Sequence, residues 1–554
     1  MRYRIIKHII RRKRKITVRK ALLLLLLVVA GFVLYCMYFS PAYPRNRNMA
    51  NVQRVTVNEN FYTAGDSWLL KNRYGLWEMY ASGNAIDRGN KIGVLSKELI
   101  VRQEDIFVDY LRNIIPSKFM MHFLRIGVGI YNRNLGRYIP EENREEIYAI
   151  SRYASTEYSW IGNNYQRIMN YHSAHDIGHA VQLMGFAGCS ALAVWGDKTQ
   201  DGNLLIGRNF DFHVNDEFAK DKILLFVNPV NGYRHAFVTW GGMIGVVSGM
   251  NERGLCVLVN AAPSDIPFSS ATPVTILARR ILQYARNIDE AISFAENAKT
   301  FISEQFIIAS AEDNRVVSIE KTKDGQAVYS SSTKPYMLCT NHFQSEKFSA
   351  KENGAKNSST SRMERMLELA DSIQTFTPQK MVNFLRDKKG RNGTNIGLGN
   401  ESSINQLIAH HSVVFHPYSK TIWVSTAPYQ EGAFLAYNLN DVFNNAVSPR
   451  AGGFSIERLF IPANRQFIDI EMGSYNFYRY SINTPVESFS RDINLFINSN
   501  PENYMTYEYL GDYYSYNGNT EQAQKYYGLS LQKIIPDENE HSKILEKLDN
   551  LKKE

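Results

Sequence analysis

GFAGCSALAVWGDKTQDGNLLIGRNFDF, residues 185–212, decides how this chain is read. At the junction Gly188-Cys189 a cysteine opens a short apolar strand, Ala191–Trp195. A polar turn with Asp201-Gly202 follows, and Asn203–Phe212 returns antiparallel. Folding the hairpin back brings Arg208 and Asp211 near the cysteine. A thiol beside a guanidinium has a lowered pKa, and the thiolate is the reactive form. Arg208 and Asp211 are three residues apart, so a regular strand turns them to opposite faces. For both to reach Cys189, the strand must bulge or end near Asn209. Taken alone, the pattern also fits a buried cysteine in a β-hairpin.

The rest of the chain narrows that choice. Its 554 residues have room for roughly three or four domains, or for one large domain with additions, and 44% apolar with 21% charged residues is ordinary for a globular protein. The formal charge of +9 is misleading, because residues 1–20 hold ten Lys/Arg and no acid. Without them 53 basic residues face 54 acidic ones, so the body offers no electrostatic footprint for nucleic acid. Residues 21–39 then run 19 positions without a charge, just enough to span a bilayer core of ~30 Å. The basic side stays in the cytoplasm, which predicts a single-pass signal anchor in the cell membrane with the body on the extracytoplasmic, periplasmic side. A cleaved signal peptide fits less well, because no small-x-small site follows cleanly. Of four cysteines, Cys36 falls in the span; Cys189, Cys256 and Cys339 leave at least one thiol without a partner in an oxidising compartment.

The order of segments is then a basic tail (1–20), the anchor (21–39), a Pro-containing linker (40–58) and a mainly helical segment (59–188). SWLLKNRYGLWEMYASG and EDIFVDYLRNIIPSKFMMHFLRIGVGIY carry three- and four-residue apolar spacing. GNAIDRGNKIGVL between them reads as a tight-turned loop under close backbone contact. From Cys189 the texture becomes strands interrupted by helices, a core expected over 189–430 with an irregular extension over 431–495. Two runs of antiparallel strands with helices between them suit stacked sheets under helical outer layers. At 496–554, Leu510, Gly511, Tyr514, Gly518, Ala523 and Tyr527 keep the offsets of a tetratricopeptide (TPR) unit. This unit is expected to dock on the body, either as a plain cap or as an arm for a protein partner.

Beyond the hairpin the order Cys189, Arg208, Asp211, Asn260, Asn341, Arg362 stands out. GCS at 188–190, GRNFDF at 207–212, GMNERGL and VNAAP within 249–263, TNHF at 340–343 and SSTSR at 358–362 carry a resemblance. The chain resembles N-terminal-nucleophile (Ntn) hydrolases of the linear amide C–N type, above all the acyl-CoA:6-aminopenicillanic acid acyltransferase group. Choloylglycine hydrolases and acid ceramidase are its cousins. The resemblance implies an α+β fold, a four-layer αββα sandwich, and self-cleavage between Gly188 and Cys189. It implies that the Cys189 sulfur attacks an acyl carbonyl while the freed α-amine serves as base. Asn341 and Asn260 become candidate oxyanion donors, Arg208 would keep the thiol ionised, and Asp211 would orient the α-amine or the substrate. Arg362, which follows a Ser-rich cap, fits either the site or a solvated helix face.

The chemistry agrees with that implication. An α-amine with a pKa of ~8 is partly free base at neutral pH. A thioester acyl-enzyme splits one hard step into two, and each fixed oxyanion donor is worth roughly 3 kcal/mol. The expected substrate is a small acylated amine or acyl donor, lipid-like ones included, with water or an amine completing the second step. An ester hydrolase resembling phospholipase B and a non-catalytic scaffold that keeps the fold are the alternatives. No cofactor and no metal are expected. His175 and His179 are four apart near His172 and Asp176, but HDIGH lacks the Glu beside the first His that a zinc protease uses. They are expected to pack the leaving segment or to assist cleavage. His410, His411 and His416 are expected to be packed or exposed, and Cys256 to be core. Cys339, two before Asn341, is the best rival nucleophile. The chain has no GxSxG and no phosphate-binding glycine loop.

Overall fold

The computed structural model describes residues 18–35, 42–174, 176, 188–212, 216–264, 270–349, 357–446 and 453–552. Four strands open the body: β1 (Val55–Asn58), β2 (Phe61–Ala64), β3 (Ser67–Lys71) and β4 (Trp77–Gly83). The decisive hairpin forms β5 (Ser190–Val194) and β6 (Leu205–Asp211). Seven strands follow: β7 (Ile223–Pro229), β8 (His235–Thr239), β9 (Ser248–Asn251), β10 (Leu255–Ala261), β11 (Glu304–Ser310), β12 (Arg315–Thr322) and β13 (Gly325–Tyr329). The last are β14 (Tyr336–Cys339), β15 (Ala409–His416), β16 (Thr421–Ser425) and β17 (Phe434–Asn438). They build an eleven-stranded sheet, β1-β2-β3-β4-β7-β8-β9-β10-β11-β12-β13, and a six-stranded sheet, β14-β5-β6-β15-β16-β17.

The period of two sorts the side chains. On β5, Ala191 and Ala193 join a core that also takes Trp68 and Leu70 of β3, Phe226 of β7 and Phe415 of β15, so this core lies between the sheets. Leu192 and Val194 face the other way, onto Met366, Met381 and Leu385 of the helices Ser358–Ser372 and Pro378–Leu385. The outer face of the large sheet, through Leu69, Met79 and Val257, packs on helices that include Ala85–Leu95, Glu141–Ser151 and Val274–Tyr284. The body is thus mixed α+β with two large sheets.

The first part of 59–188 departs from the expected helices. SWLLKNRYGLWEMYASG is the β3–β4 hairpin, turned at Asn72–Gly75, where Gly75 takes a φ of 81°. Its near-continuous apolar run imitates helical spacing because both faces of β3 are buried, Trp68 and Leu70 on one side and Leu69 on the other. GNAIDRGNKIGVL is not a loop but contains the helix Ala85–Leu95, capped by the Asn84 side chain. Its glycines do mark close contact: a Cβ on Gly89 would sit 2.4 Å from the Glu146 carbonyl oxygen, and one on Gly93 2.3 Å from the Tyr153 ring. The segment 431–495 is likewise less irregular than expected, since β17 completes the small sheet.

Tyrosines gather at the C-terminal end. The helices Met472–Ile482, Tyr504–Tyr516 and Thr520–Ser530 share a core of Tyr475, Tyr478, Tyr507, Tyr509, Leu510 and Tyr526 with Leu407 of the body. At the other end Val18–Tyr35 is an exposed apolar helix of 18 residues and mean hydropathy 2.2, long enough to cross a membrane. It fits an anchor or a signal sequence.

One topological fact bears on the junction. β4 lies before Gly188-Cys189 and β7 after it, and the two pair in parallel over all seven residues of β4. Apolar side chains from both sides of the junction also share one core. Each buried large apolar side chain contributes roughly 1.5–3 kcal/mol, so several together exceed the roughly 4–15 kcal/mol cost of association. A chain cut before Cys189 is therefore expected to elute as one particle in gel filtration and to come apart only in denaturant. Separation in plain buffer would contradict the shared sheet.

Candidate active site

Cys189 sits immediately before β5 and is 1% exposed. β5 and β6 pair without interruption from Ser190↔Asn209 to Val194↔Leu205. The Gly188 N–H donates to the Asp211 carbonyl oxygen at 3.1 Å, which extends the pairing past the thiol. β6 needs no bulge; the register shift lies in β15, between Ala409 and His411. Cys189 stands at the open end of the strand pair, where groups from both faces of β6 can approach it.

From the inner face comes Arg208. Its Nη2 donates to Cys189 Sγ at 3.2 Å and also to the Val259 carbonyl oxygen; Nη1 donates to Val247 O at 2.7 Å and to Ser248 Oγ at 2.6 Å. Its guanidinium carbon lies 4.6 Å from the Phe210 ring centroid. These partners are neutral carbonyls, a hydroxyl, a ring and the thiol, so among the described residues no touching carboxylate neutralises the charge.

From the helix side comes Arg362, also 1% exposed. Its Nη1 donates to the Cys189 carbonyl oxygen at 2.6 Å and to Ser190 Oγ at 3.1 Å; Nη2 donates to Asn341 Oδ1 at 2.8 Å. The choice between site and solvated face thus falls on the site. SSTSR supplies the reason. Asn357 and Thr360 form a capping box that starts the helix, and Ser359 Oγ takes the Asn341 N–H at 2.8 Å. Asn341 Nδ2 donates to Ala261 O at 3.0 Å, and Asn260 Nδ2 to Thr340 O at 3.4 Å. The end of β10 is therefore a hub: Val259 O holds Arg208, Ala261 O holds Asn341, and Asn260 lies between them.

Asp211 is fully buried, and among the described residues neither of its carboxylate oxygens has a hydrogen-bond partner. Burial lifts its pKa to about 7, opposed by the charges of Arg362 and Arg208. Burial likewise pulls the Arg362 guanidinium down to about 10. The expected lowering of the Cys189 pKa does not hold in the uncut chain. Burial pushes the thiol up, Arg208 draws it down, Asp211 adds to the rise, and the net direction is upward. The guanidinium is present, but desolvation outweighs it.

Cys339 is no rival. It lies in the core between the sheets, with its pKa pushed up to about 12 by burial, and among the described residues no guanidinium touches it. Cys256 is in the same core, as expected. His172 is packed: its Nδ1 bonds to Ile168 O at 2.7 Å, and its Nε2 accepts the Ile244 N–H at 3.0 Å. Asp176 Oδ2 accepts the Val274 N–H at 3.0 Å, and His175 and His179 lie outside the described residues. Among the described residues no group of three His, Cys, Asp or Glu is placed to hold a metal.

Two residues were missed. Ser248 Oγ bridges Arg208 and His411 Nε2 at 2.6 and 2.8 Å; nothing in GVVSGM marks it. Gln406 Nε2 donates to the Gly188 carbonyl oxygen at 2.9 Å from a loop some 200 residues downstream, with no motif around it. Beside the thiol, Phe107, Phe210, Phe212, Phe218, Trp240 and Val247 line an apolar cavity of about 90 Å³.

A buried thiol thus takes one guanidinium on its sulfur, from Arg208, and a second on its own carbonyl oxygen, from Arg362, beside a strand end that holds Asn260 and Asn341. Residues 198–428 match the family described as acyl-coenzyme A:6-aminopenicillanic acid acyl-transferase. An uncharacterized protein of Archaeoglobus fulgidus is 23% identical over 43% of this chain and 42% of its own length. Protein dcd1B of Dictyostelium discoideum is 22% identical over 50% of this chain and 56% of its own. The chain thus spans about half the length of the curated relatives it matches. Among solved structures, an ortholog of N-acylethanolamine-hydrolyzing acid amidase from Caenorhabditis elegans aligns with 18% identity and a TM-score of 0.32, over 42% of this chain and 93% of its own. A conjugated bile acid hydrolase from Clostridium perfringens aligns with 14% identity and a TM-score of 0.34, over 48% and 94%.

The buried carboxylate makes a prediction about stability. The folded chain keeps Asp211 protonated up to about pH 7, whereas the ordinary value is 3.8. Between those values the folded state binds more protons, so stability falls as pH rises through that window. The difference corresponds to at most about 4 kcal/mol. In a Cys189→Ala background, Asp211→Asn is expected to raise Tm at pH 8, with the gain vanishing near pH 4. A lower Tm at pH 8 would mean that the carboxylate has found a partner.

Proposed function

We propose that this protein is a membrane-anchored, self-processing Ntn amidohydrolase or acyltransferase with a four-layer αββα core. It acts on the acyl group of a linear, non-peptide amide through a thioester on Cys189. The observation that carries this reading is the pairing of a guanidinium-bound thiol with a buried, unpartnered carboxylate at one peptide bond. Among the described residues Asp211 has no hydrogen-bond partner while Cys189 carries an amide nitrogen. Cleavage of Gly188-Cys189 turns that nitrogen into an α-amine, which can take up a proton and satisfy the carboxylate.

The chemistry then runs in two parts. Residues 1–188 become the anchored chain, still paired with the rest through β4 and β7, and Cys189 becomes a terminus. Its amine, with a pKa near ~8, accepts the thiol proton as the sulfur attacks the substrate carbonyl. Arg208 and Arg362 leave one positive charge in excess of Asp211, which favours the thiolate and the tetrahedral oxyanion. Asn341 and Asn260 are the proposed oxyanion donors, by reorientation of amides that now hold carbonyls. The amine leaves with the α-ammonium proton, and water or a second amine then takes the acyl group from sulfur. The apolar cavity beside the thiol suits an apolar acyl group. We place the body outside the cytoplasmic membrane, behind the helix Val18–Tyr35, and assign the TPR-like helices 504–530 a role in holding a protein partner.

Intact-mass analysis of the purified full chain tests the core of this. A fragment beginning at Cys189 is expected, together with its absence in Cys189→Ala. The cut protein should release amine from a medium-chain acyl amide, with the acyl group trapped on Cys189 in acid-quenched samples. An uncut chain that never labels with a thiol-reactive acyl probe would favour a scaffold.

A further inference from the structure

We infer that Gln406 is the oxyanion donor for self-cleavage, distinct from the donors that serve substrate. This rests on the self-processing reading above and names a residue for its first step. Gln406 Nε2 points at the oxygen of the peptide bond to be broken, donating to Gly188 O at 2.9 Å. The approach is so close that a Cβ on Gly188 would lie 2.2 Å from that same nitrogen, so any side chain there would push the Gln406 amide off the Gly188 oxygen. On its other side the Gly188 N–H is held by Asp211 O at 3.1 Å. The scissile carbonyl is therefore fixed on both flanks, with its attacker on the next residue.

The loop that carries Gln406 is built to aim it. Gln406 is 3% exposed. Before it, the Asn405 N–H donates to Asp387 O at 2.8 Å and Asn405 Nδ2 to Glu431 Oε1 at 2.6 Å. Glu431 is itself buried and held by Lys388 at 2.8 Å and Asn464 at 2.6 Å. After it, Leu407 is in the left-handed region at φ 54°, an outlier for a bulky residue. Its N–H returns to Asn405 Oδ1 at 3.0 Å, and its side chain is buried among the tyrosines of the C-terminal helices. A strained conformation held on all sides points to a positional demand at the neighbouring side chain.

The step balances as follows. Cys189 Sγ bonds to the Gly188 carbonyl carbon, and negative charge develops on the oxygen facing Gln406 Nε2. The C–N bond breaks, and the Cys189 nitrogen takes the proton that the thiol gave up. Gly188 is then a thioester on Cys189. Water attacks it, the C–S bond breaks, and Gly188 carboxylic acid and the Cys189 thiol are formed.

Time courses of self-cleavage in the full chain, read by intact mass, test this. Gln406→Leu is expected to slow the appearance of the Cys189 fragment about 100-fold. In Gln406→Glu a carboxylate faces the developing oxyanion at pH 8, while its protonated form donates as Gln does. The rate ratio of the parent to this variant is expected to shrink as pH falls. A purely structural role predicts a constant ratio. If the parent cuts and both variants keep its rate, or if the Glu ratio is flat with pH, Gln406 is not the donor and self-processing stands. If the parent never cuts, both readings fall. Should Gln406→Leu fail to fold, the Glu ratio decides alone.

Discussion

The contact of Arg208 with Cys189 is the constraint on which the rest depends. A buried guanidinium needs acceptors, and the ones it has come from the sheet opposite its own. Arg208 stands on β6 of the small sheet; Val247, Ser248 and Val259 belong to or border β9 and β10 of the large one. The side chain therefore spans the sandwich and fixes the distance and register between the sheets at the thiol. Small residues make room for the close approach: Ala191 and Ala193 face inward on β5, whereas Leu192 and Val194 face the helices. The same contact that places a charge beside sulfur thus sets where the two sheets can lie.

Such a site is expensive to fold. Two guanidinium groups, one carboxylate and one thiol are out of water, and the carboxylate has no hydrogen bond among the described residues. The sheet around them supplies what the site does not. β4 and β7 join the two sides of the junction, and the apolar face behind them takes helices from both. A bond broken between Gly188 and Cys189 would cut the chain without cutting the fold. Local instability at the junction is then compatible with a stable body, because the two reside in different parts of the structure.

The sequence carried the site better than the framework. GCS, GRNFD, TNHF and SSTSR bring Cys189, Arg208, Asn341 and Arg362 together, because local pattern fixes a hairpin, a strand end and a helix start. What failed was the sign of the cysteine shift and the reading of SWLLKNRYGLWEMYASG. Both failures have one physical source, burial from two sides. It raises a thiol that an exposed guanidinium would lower, and it erases the polar alternation that distinguishes a strand from a helix. Gly89 and Gly93 were legible as close contacts, but which groups approach them, the Glu146 backbone and the Tyr153 ring, was not.

Gln406 and Ser248 were invisible for a different reason. Each acts through a single amide or hydroxyl, and its meaning comes only from what folding puts opposite it. Ser248 gains a role because Arg208 and His411 converge on it. Gln406 gains one because the loop around it is closed by Asp387, Glu431 and the tyrosine-rich helices. Leu407 makes that last link physical: one residue joins the left-handed turn behind Gln406 to the core of the C-terminal extension. The extension therefore does more than cover a surface. By holding Leu407 it borders the side chain that contacts the Gly188 carbonyl, and so ties the tyrosine-rich helices to the Gly188-Cys189 peptide bond.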